Sequence, residues 1–348
     1  MVLFCCICLW FYFAASVYDF IFVLMSMFGQ IVLKFLTVGF IYLNLYLISY
    51  FELIFSSGVF EMAMMGILAC KMLQDEIIYL IEKNPEIKNV YVVGNGEHIE
   101  FTSKLRECQI DFRPIGSISE LPDLNKSELN SVSDSVSDSV SDSVSDSSSS
   151  LSLVVWQLEL GLHELPKRLK VEVYDRISEF SQKVDGILLL YGLCGNVLGN
   201  VEDDFKDTCP IVILRDKNGV IADDCIGATL GSRDTYSSLL KSFGGVGTFI
   251  FTPMYAATID EFFEYKKKGS AYKLTDEQIF EMNKFMFEAS NYKRVANLDT
   301  GLTYTKNVSE NIQKFADRYN FEVFDLSGGH QDMFEDCFLK LKQIMEKT

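Results

Sequence analysis

Outside its first 61 residues the chain has no two cysteines in CxxC spacing, so the local thiol signatures of small zinc modules are missing. No basic patch with interleaved aromatics occurs either. With 31 Lys and Arg against 48 Asp and Glu, a formal charge of −17 argues against a nucleic-acid backbone as partner. Neither GxGxxG nor a P-loop is present, which removes the usual sequence support for nucleotide binding. The absence of a GxSxG elbow does the same for serine hydrolase chemistry. Charge itself is almost missing from residues 1–61, where only Asp19, Lys34, Glu52 and Glu61 carry it. No basic stretch precedes the first apolar run, so a secretory signal fits poorly.

What is present begins with that apolar segment. Residues 1–18 are uncharged and a second apolar stretch runs from Phe35 to Phe51, lengths that suit one or two membrane helices anchoring a cytoplasmic domain. The same mixture of Phe, Leu, Ile, Tyr, Ser, Cys and Val is also what AT-rich upstream DNA yields when translated from an over-extended start, and both readings stand. The cysteines are Cys5, Cys6, Cys8, Cys70, Cys108, Cys194, Cys209, Cys225 and Cys337. An odd, scattered count in a chain of this length points to a reducing compartment rather than a disulfide framework.

Residues 62–348 alternate short apolar runs with amphipathic stretches. Strands are expected at GILAC (66–70), NVYVVGN (89–95), VVWQLEL, GILLLYG, PIVILRD, GTFIFTPMY (247–255), RVANLDTG (294–301) and FEVFDLSGG (321–329). Helices are expected at MLQDEIIYLIEKN, at Leu165 to Lys183, after the loop CIGATLGSRD, at IDEFFEYKKKG, TDEQIFEMNKFMFEA and NVSENIQKFADRYN, and at the closing DMFEDCFLKLKQIM. Such alternation implies parallel sheets, so the fold class is α/β with two Rossmann-like lobes and a cleft between them. The Ser/Asp tetrapeptide repeat at about 121–150 is too polar to bury anything and reads as a disordered insertion in a surface loop. Each repeat sets an acid near a serine, so a phosphorylation tract is its functional alternative.

If the strands are parallel, the residues at their C-terminal ends share an edge, which is where open α/β sheets bind ligands. That set holds Cys70, Gly161-Leu162-His163, Gly192-Leu193-Cys194-Gly195-Asn196, Arg215-Asp216, Thr252-Pro253, Asp299-Thr300-Gly301 and Gly328-Gly329-His330, with Asp223-Asp224-Cys225 ahead of a helix. Cys70, His163, Cys194 and Cys225 are the candidate ligands of a soft or borderline metal: zinc, iron, cobalt or nickel. Taken singly, each has a plain packing role: Cys70 as core, His163 as a helix cap, Cys225 under its helix. The glycine-rich turns around Gly192, Gly195 and Asn196, with Ser232 and Arg233, are candidates to receive a small anionic ligand. A metal-binding protein, a non-catalytic anion-binding module and a membrane-tethered scaffold are therefore the competing functions.

The segments ILAC, LELGLHELPKRL, LLLYGLCGN, DDCIGATLGSRDTY and GTFIFTP, in that order, resemble an uncharacterised domain-of-unknown-function family of methanogenic archaea and anaerobic bacteria. The resemblance covers nearly all of residues 64–345 apart from the Ser/Asp insertion. It implies motif positions at Cys70, His163, Cys194, Cys225, Ser232 and Arg233. It further implies a setting near corrinoid-dependent methyl transfer, with corrinoid or methyltransferase proteins as partners and a corrinoid as one metal-containing cofactor. Two features depart from the family's pattern: the first ~60 residues are foreign to it, and KNGVIA separates Arg215 from the DCI motif.

Overall fold

A computed structural model describes residues 63–94, 96, 98–122, 150–160, 162, 165–259 and 274–347. The chain divides into two compact units, Met1–Glu61 and Met62–Thr348, and every described element belongs to the second. The expected membrane helices, most of the Ser/Asp repeat, all but the first residue of the expected helix at 259–269, and His163 lie outside the described residues. Among the described residues no helix is long and apolar enough to cross a membrane.

The first lobe is built on a six-stranded sheet in the order β3-β2-β4-β1-β5-β6. Its strands are β1 (Ala63–Cys70), β2 (Ile87–Val93), β3 (Arg113–Ile115), β4 (Leu151–Leu158), β5 (Gly186–Leu190) and β6 (Ile211–Ile213). Every pairing is parallel. Composition sets the positions. Strands β4 and β5 are buried throughout and β1 at all but its first residue, which is why they read as unbroken apolar runs and take the centre. Nearer the edge β2 alternates exposed and buried residues. The sheet is covered by α1 (Gln74–Lys83), α2 (His98–Glu107), α3 (Pro166–Phe180) and α4 (Val201–Asp204). Helix α3 buries Leu169, Val173, Ile177 and Phe180, the i, i+4, i+8 face expected of an amphipathic helix.

The second lobe has a three-stranded parallel sheet, β7 (Gly247–Phe251), β8 (Tyr292–Asp299) and β9 (Glu322–Ser327) in that order. So small a sheet buries little by itself, and aromatic packing makes up the difference. Phe249 stands edge-on to Phe315 at 5.5 Å and to Phe287 at 5.2 Å. Helices α6 (Arg233–Ser242), α7 (Pro253–Ala257), α8 (Asp276–Ala289) and α9 (Val308–Tyr319) accompany it. The closing helix α10 (Asp332–Met345) returns to the first lobe and packs on β5 and β6.

The α/β class with parallel sheets is as expected, with differences in detail. The segment after Asp224 is not a loop: it forms α5 (Cys225–Thr229) and then α6, each started by a capping side chain, Asp224 and Ser232. The strand expected to run to Tyr255 stops at Phe251, because Thr252 caps α7 and Pro253 suits a helix's first turn. Helix α2 was not foreseen, since HIEFTSKLRE has a weak apolar stripe and buries only Phe101, Thr102, Lys104 and Leu105.

Candidate functional site

The strand order sets a change of connection direction at the C-terminal ends of β4, β1 and β5. From β1 the chain crosses beyond β4 to β2, whereas from β4 it crosses β1 to reach β5, so connections leave adjacent strand ends in opposite directions. Such switch points leave an opening above the sheet. Three cysteines border it. Cys70 ends β1 fully buried, with its sulfur accepting a 3.4 Å hydrogen bond from the Met72 N–H. Cys225 opens α5, also buried, and its thiol is hydrogen-bonded with that of Cys70. Half-buried Cys194 follows β5.

The backbone around Cys194 explains the glycine before it. A Cβ on Gly192 would lie 2.6 Å from the Ala222 oxygen and 2.7 Å from the Asp224 nitrogen, so only glycine lets the end of β5 approach the DDC segment. The approach is fixed by Leu193 N–H to Ala222 O (2.8 Å) and Cys194 N–H to Asp223 O (3.0 Å). Cys194 (φ +46°), Gly195 (+74°) and Asn196 (+63°) are then three successive left-handed residues. Glycine and asparagine tolerate that region, but for cysteine it is a strained conformation that the surroundings must impose.

The thiols oppose one another's ionisation. The Cys194 thiol is pushed up to about 12 by burial first, then by the charges of Cys70 and Asp224, against a hydrogen bond from the Gly192 backbone. Cys225 is raised by its hydrogen bond with Cys70, by burial and by the neighbouring thiols. Fully buried Tyr191 is raised by burial and then by Cys70, Cys225 and Cys194. Burial also raises Asp224, although Gly227 N–H (2.7 Å) and the Tyr236 hydroxyl (3.3 Å) both donate to its carboxylate.

Beside Cys70, the first turn of α1 carries polar residues that the sequence did not single out. Gln74, Asp75 and Glu76 are all buried. Asp75 is paired with Lys104 at 2.8 Å, and Gln74 donates to the Gln157 amide oxygen at 3.0 Å. Gln74 Oε1 and Glu76 Oε2 have no hydrogen-bond partner among the described residues. Glu76 is pushed up to about 8, by burial first, then by Asp75, with a further contribution from Cys70. A buried carboxyl group close to the thiols is thus held uncharged at neutral pH.

Cys70, Cys194 and Cys225 lie near one another; Gly192 lets the chain before Cys194 meet the 222–224 segment, whereas Gly195 and Asn196 are exposed. Ser232 and Arg233 are committed elsewhere: Ser232 caps α6 through the Thr235 N–H at 3.1 Å, and Arg233 is paired with Asp223 at 2.5 Å. As to metal binding, among the described residues no group of three or more His, Cys, Asp or Glu side chains is already arranged to hold an ion. The fit to a soft metal therefore lies in donor chemistry, three thiols on one crevice, rather than in a preformed shell.

Residues 157–337 match the family model described as protein of unknown function (DUF1638). The match takes in Cys194, Cys225, Ser232 and Arg233, while Cys70 and the first turn of α1 precede it. No curated protein and no solved structure matches the chain. On the extent of that match, the chain belongs to the DUF1638 family of proteins of unknown function.

Proposed function

We propose that the thiol crevice binds a soft or borderline transition-metal ion, or the metal of a metal-containing cofactor such as a corrinoid. Cys70, Cys194 and Cys225 are the thiolate donors, and His163, five residues beyond the end of β4 in sequence, is the fourth. The carrying observation is that two thiols at strand ends, Cys70 and Cys194, and a third at the start of α5, Cys225, lie close enough that Cys70 raises the pKa of Cys194, and Cys70 and Cys194 raise that of Cys225. Such an assembly is unfavourable when ionised and empty; a cation at its centre reverses the balance. A bound metal of this kind supplies Lewis acidity or an acceptor for a methyl group. On that basis we place the protein in methyl or one-carbon transfer in an anaerobe. Tyr191 and Glu76, both buried and both protonated at neutral pH, would donate hydrogen bonds at the edge of the site.

An anion-binding module is the weaker reading, because the Arg233 charge is met by Asp223 and the Ser232 hydroxyl by its own helix. Elemental analysis of the chain purified anaerobically, beside Cys194→Ala, tests the proposal. Near-stoichiometric metal that falls in the variant supports it; folded protein free of metal in both samples sinks it.

A further inference from the structure

Cys70 and Cys225 are buried, so nothing reaches them in the conformation described. Part of the second lobe packs over residues that flank them. Helix α7 packs on the turn Lys71–Leu73 immediately after Cys70, with Met254 in the first lobe's core and the Thr258 hydroxyl 3.7 Å from the Met72 sulfur. On the other side, the His330 N–H donates to Thr229 O at 2.8 Å, at the far end of the helix that Cys225 begins.

The described chain passes between the lobes only twice, at the α5–α6 corner and between β9 and α10. Both passages carry a glycine in the left-handed region, Gly231 (φ +78°) and Gly328 (φ +125°). They also run side by side: a Cβ on Gly231 would meet the His330 side chain at 3.6 Å. Two adjacent passages with glycines that absorb backbone rotation have the construction of a hinge.

Away from the hinge, three consecutive residues after β8 fasten the second lobe to α1 and α2. The Tyr304 hydroxyl donates to Glu82 at 2.5 Å, and the Thr305 hydroxyl to Asp75 at 2.7 Å. Lys306 pairs with Glu107 at 2.6 Å. Lys104 joins the middle of this strap, donating to Asp75 (2.8 Å), to the Thr305 hydroxyl (2.7 Å) and to the Met254 sulfur (2.7 Å). The strap is polar, while Met254, Tyr255 and Tyr304 add apolar contact with the first lobe's core; polar contacts between lobes release more readily than apolar ones.

We propose that the second lobe is a hinged cover over the thiol site, turning about Gly231 and Gly328 and latched by Tyr304, Thr305 and Lys306. Cys225 stands six residues before the hinge and Cys70 five residues before Asp75 of the latch, so opening would uncover the thiols. The inference rests on the crevice being the place where a ligand enters, but its test reads thiol access alone.

The test is the alkylation rate of individual cysteines in reduced, metal-free full-length protein, followed by peptide mass spectrometry. Cys209 and Cys337, equally buried beside Val184 and Ile213, are the internal controls. A Tyr304→Phe/Thr305→Val double variant should speed labelling of Cys70 and Cys225 by about tenfold, leave both controls unchanged, and show little dependence on urea. Val173→Ala, a cavity in the core cluster that holds all four cysteines, is the contrast: it should speed all four together, with the urea slope of global unfolding. The same uniform rise in the double variant would overturn the cover, as would a double variant with unchanged rates. Because no metal is present, either failure leaves the proposed metal site standing.

Discussion

Glu76 is the residue whose surroundings cost the fold most plainly. Its carboxyl is uncharged up to about 8 in the folded chain against 4.5 as the ordinary value, so the native state holds a proton that the unfolded state releases between those limits. Its contribution is therefore fully present below pH 4.5 and is lost as pH rises toward 8. Urea denaturation at several pH values should show stability falling across that window, and Glu76→Gln should flatten the fall and gain on the order of 3 kcal/mol above it. An unchanged slope in the variant would assign the pH dependence elsewhere. Cys194 is the second costly residue. Cys194→Gly removes the thiol yet relieves the left-handed strain, and should raise stability by about 1 kcal/mol while weakening metal binding. The three thiols were legible because each follows a short apolar run or opens a helix. Gln74, Asp75 and Glu76 were not, since they read as the solvated first turn of a helix. Their burial depends on partners distant in sequence: Gln157 hydrogen-bonds Gln74, and Lys104 and Thr305 meet Asp75.

Among the elements, the junction between the end of β5 and the segment 222–224 decides whether the site exists. Gly192→Ala would press a methyl group into the Ala222 carbonyl and the Asp224 nitrogen, neither of which can swing aside. The expected result is a loss of about 2 kcal/mol or more, with Cys194 displaced from Cys225. Denaturant titration paired with the alkylation rate of Cys194 would show it, and a variant of native stability with native labelling would contradict the packing described. The strand order was not legible at all. Periodicity distinguishes buried strands from half-exposed ones, but β4 entering between β2 and β1 is a tertiary outcome with no local signature. The side chains that start α5 and α6 were visible as Asp224 and Ser232, yet Gly227 within α5 and Gly231 between the two helices read more naturally as a loop.

At the scale of the unit 62–348, a six-stranded lobe carries the three thiols and a three-stranded lobe packs on the turn after Cys70, with Gly231 and Gly328 at the two described passages between them. In the arrangement we propose, the first lobe supplies the donors and the second covers them. This arrangement also sets a pH rule. Metal must displace thiol protons held above their ordinary pKa, so affinity should climb steeply as pH rises through the neutral range. The central claim is tested most directly by titrating the reduced, metal-free protein with Co²⁺ under anaerobic conditions and following absorption. The account predicts saturation at one equivalent with intense thiolate-to-cobalt bands that weaken in each of Cys70→Ser, Cys194→Ser and Cys225→Ser. Folded protein that binds no cobalt, or binds it without thiolate bands, would contradict it.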